Sequence, residues 1–157
     1  MNPWRSVRLF DDWFCETVTM GPWYMTPIAC IPIIYYFLSC AQTTFVETIF
    51  TFAFGIFMWS FFEYNLHRRL FHAERFWLPD HPYAIAVHFV LNGIHHAYPQ
   101  DPFRTTFPVI PMVPILYTFM WTPVRFLTPD HFEDALLAGL MFGYMFYEQW
   151  HYFTHFG

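Results

Sequence analysis

Lysine is absent from the sequence, and charged residues of any kind make up only 12% of its 157 positions. The seven cationic residues are all arginines, and the formal net charge at pH 7 is −5. A protein that follows a nucleic-acid backbone needs a stripe or cluster of basic side chains, and this chain has none. The composition therefore argues against nucleic-acid binding.

The cysteines form no recognisable pairs, and we expect no secretory signal in the first residues. Cys15, Cys30 and Cys40 are isolated and form no C-x-x-C pair, so we expect no disulfide framework. The first 20 residues mix arginines with acids and contain no continuous apolar core, which is unlike a secretory signal. A role of residues 1–10 in organelle targeting stays open.

The chain is instead rich in apolar side chains, with 56% hydrophobic and 25% aromatic residues. This composition is typical of an integral membrane protein. We expect one all-α membrane domain over residues 1–157, with four transmembrane helices arranged as two hairpins. The predicted parts are an interfacial lead-in at 1–22, which contains Trp4 and Trp13, and membrane helices at 24–41, 45–62, 109–122 and 134–150.

The segments between these helices carry most of the histidines. The second helix continues without a Gly or Pro stop into residues 63–72, and a polar loop follows at 73–82. Residues 83–96 are too short to span a bilayer and are interpreted as a helix along the interface, with His88, Asn92 and His95/His96 on one face. Residues 99–108 form an irregular connector.

The number of membrane crossings between the histidine segments predicts that they lie on one side of the membrane. If the second helix exits on one side, the third enters from that side and the fourth returns to it. The histidine segments would then form a cap on one membrane face. Six of the seven arginines fall on the same face, and only Arg125 lies opposite, which makes the histidine face cytosolic or matrix-like.

Histidine is the commonest neutral metal ligand, and nine histidines in so apolar a chain need partners. His151 and His155 are four residues apart and would face one metal ion from a helix. His67 and His72 lie about 140° apart on an ideal helix, so both bind only if the helix unwinds or if they serve different metals. The adjacent His95 and His96 suit two neighbouring ions.

Other polar residues have a different expected role. Glu63 and Glu148 lie one turn before a histidine and are expected to accept its second ring N–H, which would fix the ring. We interpret His81 and His131 as structural residues. We favour a structural role for His88 as well, although it lies on the predicted ligand face.

Four motifs together resemble the fatty acid 2-hydroxylases, over about residues 56–157. They are Glu63-Tyr64-x-x-His67-Arg68-x-x-Phe71-His72, His88-Phe89-x-x-Asn92-Gly93-x-His95-His96, Pro99-x-Asp101-x-x-Arg104 with Phe107-Pro108, and Gly143-Tyr144-x-x-Tyr147-Glu148-x-x-His151-Tyr152-x-x-His155-Phe156-Gly157.

This resemblance implies a four-helix membrane enzyme in which two metal ions, taken to be iron, activate O₂ to hydroxylate a lipid chain. It assigns metal ligation to six histidines and supporting roles to five other residues. The implied ligands are His67, His72, His95, His96, His151 and His155. The implied supporting residues are Glu63, Glu148, Asn92, Asp101 and Arg104.

The sequence departs from the family pattern at three points. Asn92 stands where the family has a histidine, Glu148 stands where it has an aspartate, and a further His-x-x-His-His-type cluster is expected beyond residue 157. We expect no attached cytochrome-b5-like domain, so electrons would come from another protein. The ligand count therefore favours an incomplete site that holds less than one iron per chain, with zinc as another possible metal.

On this count, the expected function is an accessory, lipid-contacting subunit of a larger membrane complex. Such a complex would be respiratory or photosynthetic, with the mitochondrial inner membrane favoured over the endoplasmic reticulum. The alternative is an active iron-dependent fatty acid 2-hydroxylase. A third hypothesis is a single structural metal held by His151, His155 and one earlier histidine pair.

Overall fold

The computed structural model describes residues 6–157, so Trp4 and the rest of the predicted lead-in before Ser6 lie outside the described residues. Every element in this range is helical. Three helices contain π-helical segments, in which the backbone bonds join residues five apart. The elements are α1 (Trp13–Val18), α2 (Met25–Cys40), α3 (Phe45–Leu66) with the π segment His67–Phe71, a 3₁₀ turn (Ala73–Arg75), α4 (Pro82–His88), the π segment Phe89–Gly93, α5 (Ile94–Ala97), α6 (Val109–Leu116), the π segment Tyr117–Trp121, α7 (Thr122–Leu127) and α8 (Asp130–Phe156).

Helix α3 begins at a capping box, which explains the acidic residue in its first turn. The Thr44 hydroxyl accepts a hydrogen bond from the Glu47 amide, and the Glu47 carboxylate accepts one from the Thr44 amide at 2.9 Å. These bonds satisfy two backbone donors that a helix start leaves free. The capping box thereby fixes the residue at which α3 begins after the short turn that follows α2.

Helices α3 and α8 form the centre of the bundle and approach each other at glycines. A methyl group on Gly55 would lie 2.6 Å from the Leu136 carbonyl oxygen, and one on Gly139 would overlap the Phe52 carbonyl. Small residues allow helix backbones to pack this closely in membrane proteins. The buried residues of α8, among them Leu137 at 1% exposure, face α3 and α2, and α8 contributes more residues to the core than any other helix.

Within residues 6–157, two helical stretches are long and apolar enough to cross a membrane, Phe45–Phe71 and Val109–Leu127. The helix Met25–Cys40 is apolar but shorter. The chain is therefore an all-helical protein with two candidate spans, and the arrangement of four spans as two hairpins stays a prediction.

Two helices begin or end outside the predicted membrane segments. The third helix does not end at residue 122, because Pro123 occupies the first turn of α7, where its missing N–H costs little. Helix α8 begins at Asp130 rather than at 134. The connection between these helices is consequently reduced to Thr128 and Pro129.

The described part of the lead-in is folded onto the connector at residues 99–108. The Gly21 amide donates to the Phe103 carbonyl at 2.9 Å, and the Thr106 hydroxyl donates to the Gly21 carbonyl. Arg104, buried to 4% exposure, forms an ion pair with Glu16 of α1. We call this set of contacts the lead-in clamp, and it closes the side of the bundle next to the histidines.

Candidate metal centre

His67 and His72 lie close together because the end of α3 is a π-helix. The His72 amide donates to the His67 carbonyl, five residues earlier, at 3.0 Å. This closure brings residues five apart onto neighbouring turns, and the two ring centroids lie 5.0 Å apart. The expected separation of about 140° applies to an α-helix. In the π-helical segment the two rings are close enough to contribute to the same site.

The second group is centred on the end of α8. His151 and His155 face each other, with their Nε2 atoms 3.3 Å apart. A ring nitrogen of His95 joins them, so that one ligand atom from each residue lies within 4.8 Å of the others. Two nitrogens bound to one ion at about 2.0–2.1 Å, in tetrahedral geometry, are themselves about 3.3–3.4 Å apart. The His151–His155 spacing fits that arrangement.

His96 connects the two groups of rings. Its centroid lies 4.9 Å from that of His72 and 5.5 Å from that of the neighbouring His95. The His95 ring lies 4.7 Å from His151 and 5.0 Å from His155. The six predicted ligands therefore form one connected set, which we call the histidine cluster.

The environment of His95 favours the neutral, metal-binding form of its ring. Burial, followed by the nearby His151 and His155, lowers the pKa of His95 to about 3. Its Nδ1 is buried and has no hydrogen-bond partner among the described residues. A buried nitrogen without a partner is costly, and a metal ion or a small polar ligand would remove that cost. The donor set thus fits a metal.

The predicted supporting acids differ in what they contact. Glu63 Oε1 lies 3.4 Å from His67 Nδ1, a distance that would allow the acid to orient this ring. The expectation for Glu148 is wrong, because its buried carboxylate accepts from the Phe107 amide at 3.0 Å rather than from His151. Glu148 therefore fixes the start of the segment that leads into α6.

The other three predicted supporting residues contact no histidine side chain through hydrogen bonds that the structure describes. Asn92 is buried and donates to the Phe71 carbonyl at 2.8 Å. Asp101 accepts from the Ser6 hydroxyl and the Val7 amide, and Arg104 donates to Thr19 and Glu16. Asp101 and Arg104 therefore hold the lead-in clamp, and no local sequence pattern predicts these contacts.

The remaining histidines lie outside the cluster. The His81 and His131 rings pack against the adjacent aromatic residues Tyr83 and Phe132. His88 Nε2 lies 2.8 Å from the Phe71 carbonyl oxygen and 3.0 Å from Glu74. Glu74 also contacts His72, and sequence reasoning missed it because its only local signal is an acid two residues after a histidine.

The helical bundle and the histidine cluster define a membrane protein with a candidate multi-histidine metal centre.

No family model matches the sequence. It is similar to the ceramide very long chain fatty acid hydroxylase scs7 of Schizosaccharomyces pombe, with 36% identity over 96% of this chain and 43% of the relative. It is 34% identical to the dihydroceramide fatty acyl 2-hydroxylase FAH2 of Arabidopsis thaliana, over 98% of this chain and 64% of that one. A human fatty acid 2-hydroxylase is 32% identical over 98% of this chain and 46% of its own length.

A solved structure has the same fold. It is described as full-length scs7p with only the hydroxylase domain visible, and it matches 97% of this chain and 57% of its own with a TM-score of 0.90 and 35% identity. The chain is a homologue of the fatty acid 2-hydroxylases. It spans less than two thirds of the length of these relatives. The incomplete metal site therefore stays a prediction.

Proposed function

We propose that the chain is the membrane-embedded part of a metal-dependent hydroxylase that acts on the acyl chain of a lipid. The observation that carries this proposal is the histidine cluster, in which His95, His151 and His155 offer ligand atoms within 4.8 Å of one another. When bound, iron would supply the activation of O₂ that insertion of oxygen into a C–H bond requires.

The residues around the cluster would control access to it. His67, His72 and His96 would hold the second metal beside the trio, with Glu63 orienting His67. The Phe71 and Phe107 rings stack with centroids 5.5 Å apart next to these ligands. A cavity of about 40 Å³ lies between His67, His95 and His151, which is room for a small molecule such as water or O₂.

A larger apolar groove supports an acyl substrate. It has a volume of about 200 Å³ and lies between α2, α6 and α8. Its lining extends from Val109 to Trp121, a distance of about 18 Å at 1.5 Å per residue. It begins at Tyr144, two turns before His151 on α8. An extended acyl chain in this groove would have one end directed towards the histidine cluster.

The accessory-subunit role stays a prediction, and we do not prefer it. It rested on a count of ligands, and the relatives are longer than the matched region. The relatives are described as hydroxylases of fatty acyl or ceramide substrates, which supports lipid as the partner. They give no support to the mitochondrial inner membrane or to partner subunits.

The test measures metal and product on the same purified protein. We expect at least one iron per chain by elemental analysis and a 2-hydroxylated fatty acid by mass spectrometry when a reductase and electron carrier are added. The variant His95→Ala should lose both, and the control His131→Ala should keep both. Less than one metal per chain together with no product would contradict the hydroxylase and favour the accessory role.

A further inference from the structure

Glu74 links a predicted metal ligand to a histidine outside the cluster. Its Oε1 lies 3.0 Å from His72 Nδ1, and its Oε2 lies 3.0 Å from His88 Nε2. His88 Nε2 also lies 2.8 Å from the Phe71 carbonyl oxygen. One carboxylate and one carbonyl thus connect the end of α3 to the end of α4.

These contacts fix which ring nitrogens carry protons. A carboxylate and a backbone carbonyl are both acceptors, so the nitrogens that face them must donate. His88 therefore carries its proton on Nε2, and His72 carries one on Nδ1. In a neutral ring this leaves the His72 Nε2 lone pair free, and the same ring approaches those of His67 and His96 at 5.0 and 4.9 Å.

The backbone holds Glu74 firmly in this position. Glu74 lies in the 3₁₀ turn, whose first residue, Ala73, is buried to 1% exposure. The Ala73 carbonyl accepts hydrogen bonds from the amides of Phe76, Trp77 and Leu78, each at 3.0 Å. The Trp77 ring N–H donates to the Arg69 carbonyl at 2.6 Å, and this bond joins the loop to the π segment at the end of α3. These bonds hold the backbone of the turn against the end of α3, and the side chain of Glu74, 42% exposed, reaches His72 and His88 from there.

We propose that Glu74 is a positioning residue that sets the tautomer of His72 and directs its Nε2 towards the second metal position, with His88 anchoring the other carboxylate oxygen. Metal-binding histidines commonly donate their second ring N–H to such an acid, and loss of the acid weakens metal binding. Glu63 and His67 make the equivalent contact on the other side of the cluster. The metal-binding consequence rests on the proposed function, whereas the tautomer of His72 does not.

The first test needs no metal. Nitrogen-15 NMR of the metal-free chain, labelled at histidine, distinguishes a ring protonated at Nδ1 from one protonated at Nε2. We expect His72 to be protonated at Nδ1 in the wild type and to lose that preference in Glu74→Ala. The control Asp80→Ala removes an exposed acid from the same loop and should leave the His72 signals unchanged. A His72 ring protonated at Nε2 in the wild type, or unaffected by Glu74→Ala, would overturn the proposal.

The second test measures affinity for added zinc and iron by titration of the purified chain. Glu74→Ala should weaken the second metal site by about 10- to 100-fold and leave the site at His95, His151 and His155 unchanged. Glu74→Asp should restore part of the loss. If the wild type binds no metal, the proposed function fails, and the NMR result alone decides the role of Glu74. If the wild type binds metal and Glu74→Ala matches Asp80→Ala, the inference fails and the proposed function stands.

Discussion

The His67 and His72 rings lie 5.0 Å apart because the His72 amide bonds to the His67 carbonyl rather than to that of Arg68. In an α-helix these two side chains would lie on different sides, whereas the π-helical turn places them next to each other. π-helical turns are rare and occur frequently at functional sites. This one lies where the cluster needs its second group of ligands.

A larger side chain at Ala29 would fill the groove between α2, α6 and α8, whose lining contains no histidine of the cluster. Ala29 lines the groove, and the neighbouring Ile28 is 63% exposed. We expect Ala29→Phe to reduce hydroxylation of long acyl chains by about tenfold or more, since a blocked site loses its apolar contacts. Metal content should not change.

The matched control is Ile28→Phe, which adds a ring to the outer face of the same helix. Product formation is measured by mass spectrometry with lipids of several chain lengths. Equal activity of the two variants on all lengths would show that the acyl chain binds elsewhere.

Close packing of α3 against α8 should make Gly139 intolerant of a larger side chain. A methyl group there overlaps the Phe52 carbonyl, so the variant Gly139→Ala must push the helices apart. Overpacking of this kind lowers the free energy of unfolding by about 1–3 kcal/mol. For a chain of this size, each kcal/mol lowers the melting temperature by roughly 2–4 °C. Thermal unfolding in detergent measures it, with the exposed α3 variant Ser60→Ala as the control. A melting temperature equal to that of Ser60→Ala would contradict the observed helix contact.

The Arg104–Glu16 pair in the lead-in clamp should be sensitive to loss of one partner. The Arg104 side chain is 1% exposed and that of Glu16 is 11% exposed. Removal of one member of a buried pair leaves a charge without its partner, at a cost of about 3–5 kcal/mol. We therefore expect Glu16→Gln and Arg104→Met each to lower the melting temperature strongly, and the double variant to be less destabilised than the sum of the two. Additive effects in this double-mutant cycle would mean that the pair is not coupled.

The low pKa of His95 predicts that the metal-free protein loses stability in mild acid. The folded-state pKa is about 3, and that of an unfolded histidine is about 6.5. Between these values the unfolded chain takes up a proton that the folded chain does not, so stability falls as the pH drops from about 6.5 towards 3. Above about pH 6.5 the His95 ring is neutral in both the folded and the unfolded chain, so it does not make the stability depend on pH.

The measurement is the melting temperature of metal-free protein between about pH 7.5 and pH 5. His95→Phe should show a smaller loss than the wild type over this range. His131→Phe changes an exposed histidine outside the cluster and should behave as the wild type. An identical acid sensitivity of His95→Phe and wild type would exclude His95 as a cause.

Much of the cluster was predictable because its determinants are local. His151 and His155 share a helix face by their spacing alone, and the apolar runs locate the long helices. The π-helical turn was not predictable, because it depends on distant partners. The Phe71 carbonyl at its end accepts from His88 and Asn92, which are 17 and 21 residues away. The same reason applies to Asp101, whose partners Ser6 and Val7 are more than 90 residues distant.

The lead-in clamp also has a consequence for the order in which the protein is made. Arg104 contacts Thr19 and Glu16, which precede it by 85 and 88 residues. A ribosome adds roughly 5–20 residues each second, so the first segment waits at least several seconds for its partner to be synthesised. During that time Glu16 and Thr19 lack the contact that Arg104 provides. Docking of the lead-in is therefore a late step of biogenesis, after α2 and α3 are already made.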